Sequence, residues 1–143
     1  MKKILIATLI ILANTSFGQV HDSITTDKNT NDTLKLQVLY FHITNRCNTC
    51  LSIESELRKI IIENYKDKLD SGMIRFASIN VELPEYLWLA NKYETAGASL
   101  FLRKYIKGKE GQKDDLTSWA FSKIHSTDVF DKELEQKINE FLK

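Results

Sequence analysis

Two cysteines are all that this chain of 143 residues contains, whereas a small secreted scaffold stapled by disulfides normally carries four or more. The pair has to be read on its own terms. Charge of one sign is missing as well. The 20 Lys and Arg stand against 19 Asp and Glu, and the two kinds are interleaved, so the concentrated basic surface that phosphate binding needs is absent and nucleic acid is excluded as a partner. No apolar run is long. The longest, Ile4 to Ala13, is 10 residues, half of the ~20 that a helix needs to cross a bilayer. There is no internal repeat. What is present is 43% hydrophobic content in a length that suits one globular core.

The first 33 residues stand apart. Lys2 and Lys3 make a positive start, Ile4 to Ala13 follow as the apolar run, and Ser16 and Gly18 supply small side chains before a cut ahead of Gln19. This is the pattern of an export signal over residues 1–18, and it predicts an exported, periplasmic mature chain without a stable membrane span; the alternative is an uncleaved anchor. No cysteine follows the apolar run, so a lipoprotein-type attachment site is absent. Removing Lys2 and Lys3 leaves 18 basic against 19 acidic residues. Residues 19–33 are polar and nearly without large apolar side chains, which predicts a flexible leader. The folded domain is then 34–143.

Within it the periodicities alternate. Leu36, Val38, Leu39, Tyr40 and Phe41 make a strand apolar on both faces, suited to the middle of a covered sheet. Ile53, Leu57, Ile60 and Ile61 recur at helical spacing, with Glu54, Glu56, Arg58 and Lys59 assigned to the polar side, giving an amphipathic helix to about Tyr65. Residues 73–81 read as a second strand. Pro84, the only proline, is placed to open a helix carrying Leu87, Leu89, Ala90 and Tyr93. Residues 98–105 read as a third strand, Gly108 and Gly111 as a tight connection, and a short fourth strand precedes Trp119. The charged cluster Lys107, Lys109, Glu110, Lys113, Asp114 and Asp115 reads as a solvated turn. Phe130, Leu134, Ile138, Phe141 and Leu142 make a closing helix. Such an order predicts an α/β fold whose sheet begins with a parallel pair. Trp88 and Trp119 read as packing residues, as do Tyr40 and Phe41.

The chemistry is carried by Arg46-Cys47-Asn48-Thr49-Cys50, at the junction of the first strand and first helix. Free N–H groups and the positive end of the helix dipole stabilise a thiolate there, and three-residue spacing lets the second sulfur reach the first. Arg46 adds positive charge, so Cys47 is expected to be the exposed thiol of lowered pKa and Cys50, on the side of Ile53 and Leu57, the more buried resolving thiol. Thiol–disulfide exchange with protein disulfides, dithiols or a redox partner protein follows, with no cofactor. Two other readings compete. The pair could be half of a metal site, although His21, His42 and His125 are too scattered to complete four zinc ligands, or it could be an inert clip of one helical turn. His42, five residues before Cys47, could move a proton during exchange or simply be packed.

With these motifs in place, residues 34–143 resemble a thioredoxin-like protein, with a central mixed sheet of about four strands flanked by helices. Val-Leu-Tyr-Phe-His before the cysteine motif, Ser-Ile-Asn-Val-Glu, and Lys-Tyr-Glu-Thr-Ala-Gly-Ala-Ser-Leu-Phe-Leu are similar to a small bacterial family labelled nitrophenyl compound nitroreductase subunit ArsF. The resemblance implies a cysteine-based redox role. Thioredoxins open the strand facing the cysteines with a cis-proline, and Ser99 occupies that place here, able to offer backbone groups or a hydroxyl but not to enforce the same turn. Phe41 stands where thioredoxins hold a buried aspartate. Nitro reduction normally uses a flavin, yet the chain has no flavin-binding pattern and a domain this small would struggle to enclose one. The family label therefore implies an electron-passing partner, and the runner-up reading is a non-catalytic accessory or metal-binding module on the same fold.

Overall fold

The computed structural model describes residues 32–143. The export signal expected over 1–18 and residues 19–31 of the expected leader lie outside the described residues. Strand β1 (Leu36–His42) leads into helix α1 (Asn48–Asn64), and a five-residue helix α2 (Lys66–Asp70) is added before β2 (Ile74–Asn80). Pro84 begins a 3-10 turn, Pro84–Tyr86, that runs into α3 (Leu87–Lys92). The strands β3 (Ser99–Ile106) and β4 (Lys109–Asp115) follow, then α4 (Thr117–Lys123) and α5 (Thr127–Leu142).

The sheet order is β2-β1-β3-β4. β1 runs parallel to β2, from Leu36 opposite Ile74 to His42 opposite Asn80. It runs antiparallel to β3, from Leu36 opposite Lys104 to Phe41 opposite Ser99. This is the central mixed sheet of four strands flanked by helices that the sequence leads one to expect.

Because side chains alternate across a strand, the central β1 feeds two cores. Leu36, Val38 and Tyr40 join Ile53, Leu57, Ile60 and Ile61 of α1 and Phe130, Leu134 and Ile138 of α5 on one face. Leu39 and Phe41 join Ala77, Ile79, Leu89, Tyr93 and Phe101 on the other. The two faces explain why β1 reads as a continuous apolar run rather than an alternating one.

Four sequence readings need correction. The short fourth strand expected before Trp119 is β4, a full seven-residue edge strand, and it takes in residues 109–115 of the charged cluster read as a solvated turn; charged side chains suit an edge that must not pair with another chain. Gly111 lies inside that strand, where a Cβ would meet the Lys104 carbonyl at 3.4 Å, and the tight connection is the two-residue turn Lys107–Gly108 alone. Both of its residues have positive φ, 50° and 73°, the geometry of a type I′ hairpin turn that matches strand twist. Trp88 is not a core residue, being 43% exposed, whereas Trp119 stacks on Phe130 with ring centroids 4.9 Å apart. Glu54 is not on the polar side of α1; it is 8% exposed.

Candidate active site

The strand end, the following turn and the start of α1 position the cysteines. Cys47 is the N-cap of α1, with extended backbone (φ −73°, ψ 157°), and its Sγ accepts the Cys50 N–H at 3.1 Å. A sulfur here does what a Ser or Asp oxygen does at other helix starts. The Cys47 carbonyl accepts from Leu51 N–H at 3.0 Å, closing the first turn. No acidic residue lies in that turn, so the unsatisfied N–H groups and the positive dipole end act on Cys47 without a competing carboxylate. Cys47 and Cys50 are joined in a disulfide with Cα atoms 5.1 Å apart, a usual span for the bond. Cys47 is exposed and Cys50 half-buried.

Beneath the motif lies a polar cluster that joins β1, α1 and β2. The Tyr40 hydroxyl, fully buried, donates to the Cys50 carbonyl at 2.9 Å. The Arg46 guanidinium lies 5.8 Å from the Tyr40 ring centroid and forms an ion pair with Glu54. Arg58, one turn further along α1, meets the same carboxylate, its Nη2 2.8 Å and its Nε 2.9 Å from Oε1. Burial would raise the Glu54 pKa, but the nearby Ser78 hydroxyl and the Arg46 and Arg58 guanidiniums outweigh it and hold the carboxyl below its usual value. Burial raises the Tyr40 phenol, opposed by the charge of Arg46 and a hydrogen bond from it.

The structure brings Arg46, Cys47 and Cys50 together in one turn, but the charge of Arg46 is directed to Glu54. His42 ends β1, half-buried, its Nδ1 3.0 Å from the Ile43 carbonyl and its ring 6.5 Å from that of Tyr40. Ser99 opens β3 opposite Phe41, at the sheet end from which the cysteine turn departs. Its hydroxyl lies 2.6 Å from that of Thr95 and 3.4 Å from the Gly97 carbonyl. Among the described residues no peptide bond is cis, and neither His42 nor Ser99 hydrogen-bonds a cysteine. Phe41 is wholly enclosed by Tyr93 and Phe101, with centroids at 5.3 and 5.8 Å. The buried carboxylate near the motif comes instead from Glu54. Sequence reading missed it and the Tyr40 hydroxyl. The four-residue spacing of Glu54 and Arg58 was a signal that could have found the first.

No family model matches this chain, and no curated protein matches it. Among solved structures the chain is similar to a thioredoxin of Fasciola hepatica at 19% identity, covering 78% of this chain and 86% of that one with a TM-score of 0.46. It is also similar to the oxidised mitochondrial thioredoxin 3 of Saccharomyces cerevisiae at 24% identity, covering 64% and 77% with a TM-score of 0.42. A third, thioredoxin f2 of Chlamydomonas reinhardtii, is 18% identical over 68% of this chain and 85% of that one, with a TM-score of 0.42.

Proposed function

We propose that this chain is an exported thiol–disulfide oxidoreductase in which Cys47 is the nucleophile and Cys50 the resolving thiol. The observation that carries the reading is the place of Cys47: exposed, capping the start of α1, and bonded to a partner one turn away. In the reduced protein the Cys47 thiolate attacks one sulfur of a substrate disulfide, forming a mixed disulfide and expelling a substrate thiolate that takes up a proton. Cys50 loses its proton and attacks Cys47 Sγ, which expels the second substrate thiolate. Two electrons pass to the substrate and the Cys47–Cys50 disulfide re-forms; the reverse sequence oxidises a dithiol. The protein supplies both sulfurs, so the exchange needs no cofactor. Its partners are protein disulfides or dithiols, or a redox partner protein, which is the electron-passing role implied by the resemblance to the ArsF family. Export is supported by Lys2, Lys3 and the apolar run from Ile4 to Ala13.

Replacing Cys50 by Ser removes the resolving step. The Cys50→Ser chain, reduced and then exposed to oxidised glutathione or a disulfide-bonded protein, is expected to accumulate a mixed disulfide on Cys47, seen by mass spectrometry. Stoichiometric zinc bound through both thiolates of the unmutated chain would favour the accessory reading, as would a Cys47 that alkylates no faster than a free thiol of pKa ~8.5.

A further inference from the structure

Glu54 is the only charged residue that is buried among the described residues, and it sits between two guanidiniums. One belongs to Arg46, the residue immediately before Cys47, and the other to Arg58. We propose that Glu54 is a positioning residue that sets the redox poise of the Cys47–Cys50 pair, by drawing the Arg46 guanidinium onto the buried side of α1 and cancelling part of its charge at Cys47. This rests on the exchange reading of the pair.

Chemical adjacency would allow Arg46 to lie beside the exposed sulfur. The fold turns it inward instead, near the Tyr40 ring and onto the Glu54 carboxylate. One carboxylate between two guanidiniums leaves the set with a single net positive charge. Glu54 follows Cys47 by seven residues, about 10 Å along a helix axis, and charges this far inside the protein surface are only partly screened by salt. Removing the carboxylate's charge raises the set to two positive charges and frees Arg46 from its tether. Both changes favour the Cys47 thiolate, hence the dithiol, and make the pair a stronger oxidant. The other charged or titratable groups around the turn are His42 and Tyr40 on β1 and Glu82 after β2, which accepts the Thr44 N–H at 2.8 Å. They are left in place.

The test uses the full chain with Glu54→Gln, Glu54→Asp, Arg58→Gln and the double variant Glu54→Gln/Arg46→Gln. Two quantities are read: the equilibrium of the pair in reduced and oxidised glutathione, and the pH midpoint of Cys47 alkylation by iodoacetamide. For Glu54→Gln the equilibrium is expected to move about tenfold toward the dithiol, equivalent to ~30 mV, and the alkylation midpoint to fall. Glu54→Asp keeps the charge and should restore most of the wild-type midpoint. In the double variant the shift should shrink, since Arg46 carries part of it. Arg58→Gln does not touch the cysteine turn and should move both readouts the opposite way by severalfold, which decides the matter even if Glu54→Gln does not fold. A carboxylate that only braced the fold would weaken both redox forms alike and leave the midpoints within twofold of wild type, and that result overturns the proposal. If the wild-type pair does not exchange with glutathione at all, the exchange reading falls and takes this inference with it; if it exchanges but does not respond to Glu54 or Arg58, only this inference falls.

Discussion

The two faces of β1 are built on opposite chemistry. Phe41 points into a cluster that is almost entirely hydrocarbon, where its ring meets Tyr93 and Phe101 and the neighbours are Ala77, Ile79 and Leu89. Tyr40, the preceding residue, points into the larger core, yet its hydroxyl reaches the Cys50 carbonyl and its ring lies near Arg46, which pairs with Glu54. One face therefore holds the sheet together, and the other also connects the sheet to the cysteines. Alternation along a strand, which costs nothing in sequence, separates stability from chemistry at adjacent residues.

The largest effect is expected from breaking the hydrocarbon face. Phe41→Ala removes a fully buried ring and should cost about 3–5 kcal/mol, a large share of a typical stability of about 5–15 kcal/mol. Urea unfolding of the oxidised chain would show it as a lowered midpoint at an unchanged slope. The glutathione equilibrium of the surviving folded protein should stay within twofold of wild type. A tenfold move there would mean that the two faces are not separate.

This division was only half legible in the sequence. β1, α1, β2, α3, β3 and α5 could be read because each presents a strong apolar period or an uninterrupted apolar run. β4 was legible only as a short strand before Trp119, with its charges read as a turn, because an edge strand has one neighbour and no buried face, so its seven residues carry no alternation that burial would impose. The short helices α2 and α4 were invisible for a related reason: five and seven residues are too few to establish a period. α4 is held by Leu116, Ala120 and Ile124 against the core, and by Asp115, whose carboxylate accepts the Thr117 N–H at 2.8 Å. At the site, the cysteine spacing and the strand-to-helix junction were readable from local order alone. The pairing of Arg46 with Glu54 was not, because it depends on how the turn folds back on the helix. A glutamate in an amphipathic helix counts as solvent-facing until two arginines cover it.

A smaller effect is expected at Tyr40. Phe in its place keeps the ring, its burial and its proximity to Arg46, and removes only the hydroxyl that donates to Cys50. The Cys50 carbonyl also faces the ladder of α1 itself, so the loss should lie near the low end of the usual 0.5–1.5 kcal/mol for one hydrogen bond. Tyr40→Phe should thus destabilise severalfold less than Phe41→Ala in the same urea assay. A cost as large as that of Phe41→Ala would show that the hydroxyl braces the whole face.

The smallest effect is a slope against pH. Burial alone would raise the Glu54 carboxyl, but the nearby Ser78 hydroxyl and the Arg46 and Arg58 guanidiniums leave it lower in the folded chain than in the unfolded one. A group depressed in this way binds fewer protons folded than unfolded, so its contribution to stability is complete above the unfolded value of about 4.3 and disappears as pH falls through the folded value. Glu82 and Glu133 are lowered too, so the acid limb of the wild type alone cannot isolate Glu54. The difference between wild type and Glu54→Gln can. Measured as urea midpoints from pH ~6 down to ~3, that difference should narrow toward the acid end, because protonation makes the wild-type side chain as neutral as the amide. A difference that stays constant across the window would mean that the arginines do not hold a charge at Glu54, and the polar face of β1 would then be no more electrostatic than the hydrocarbon one behind it.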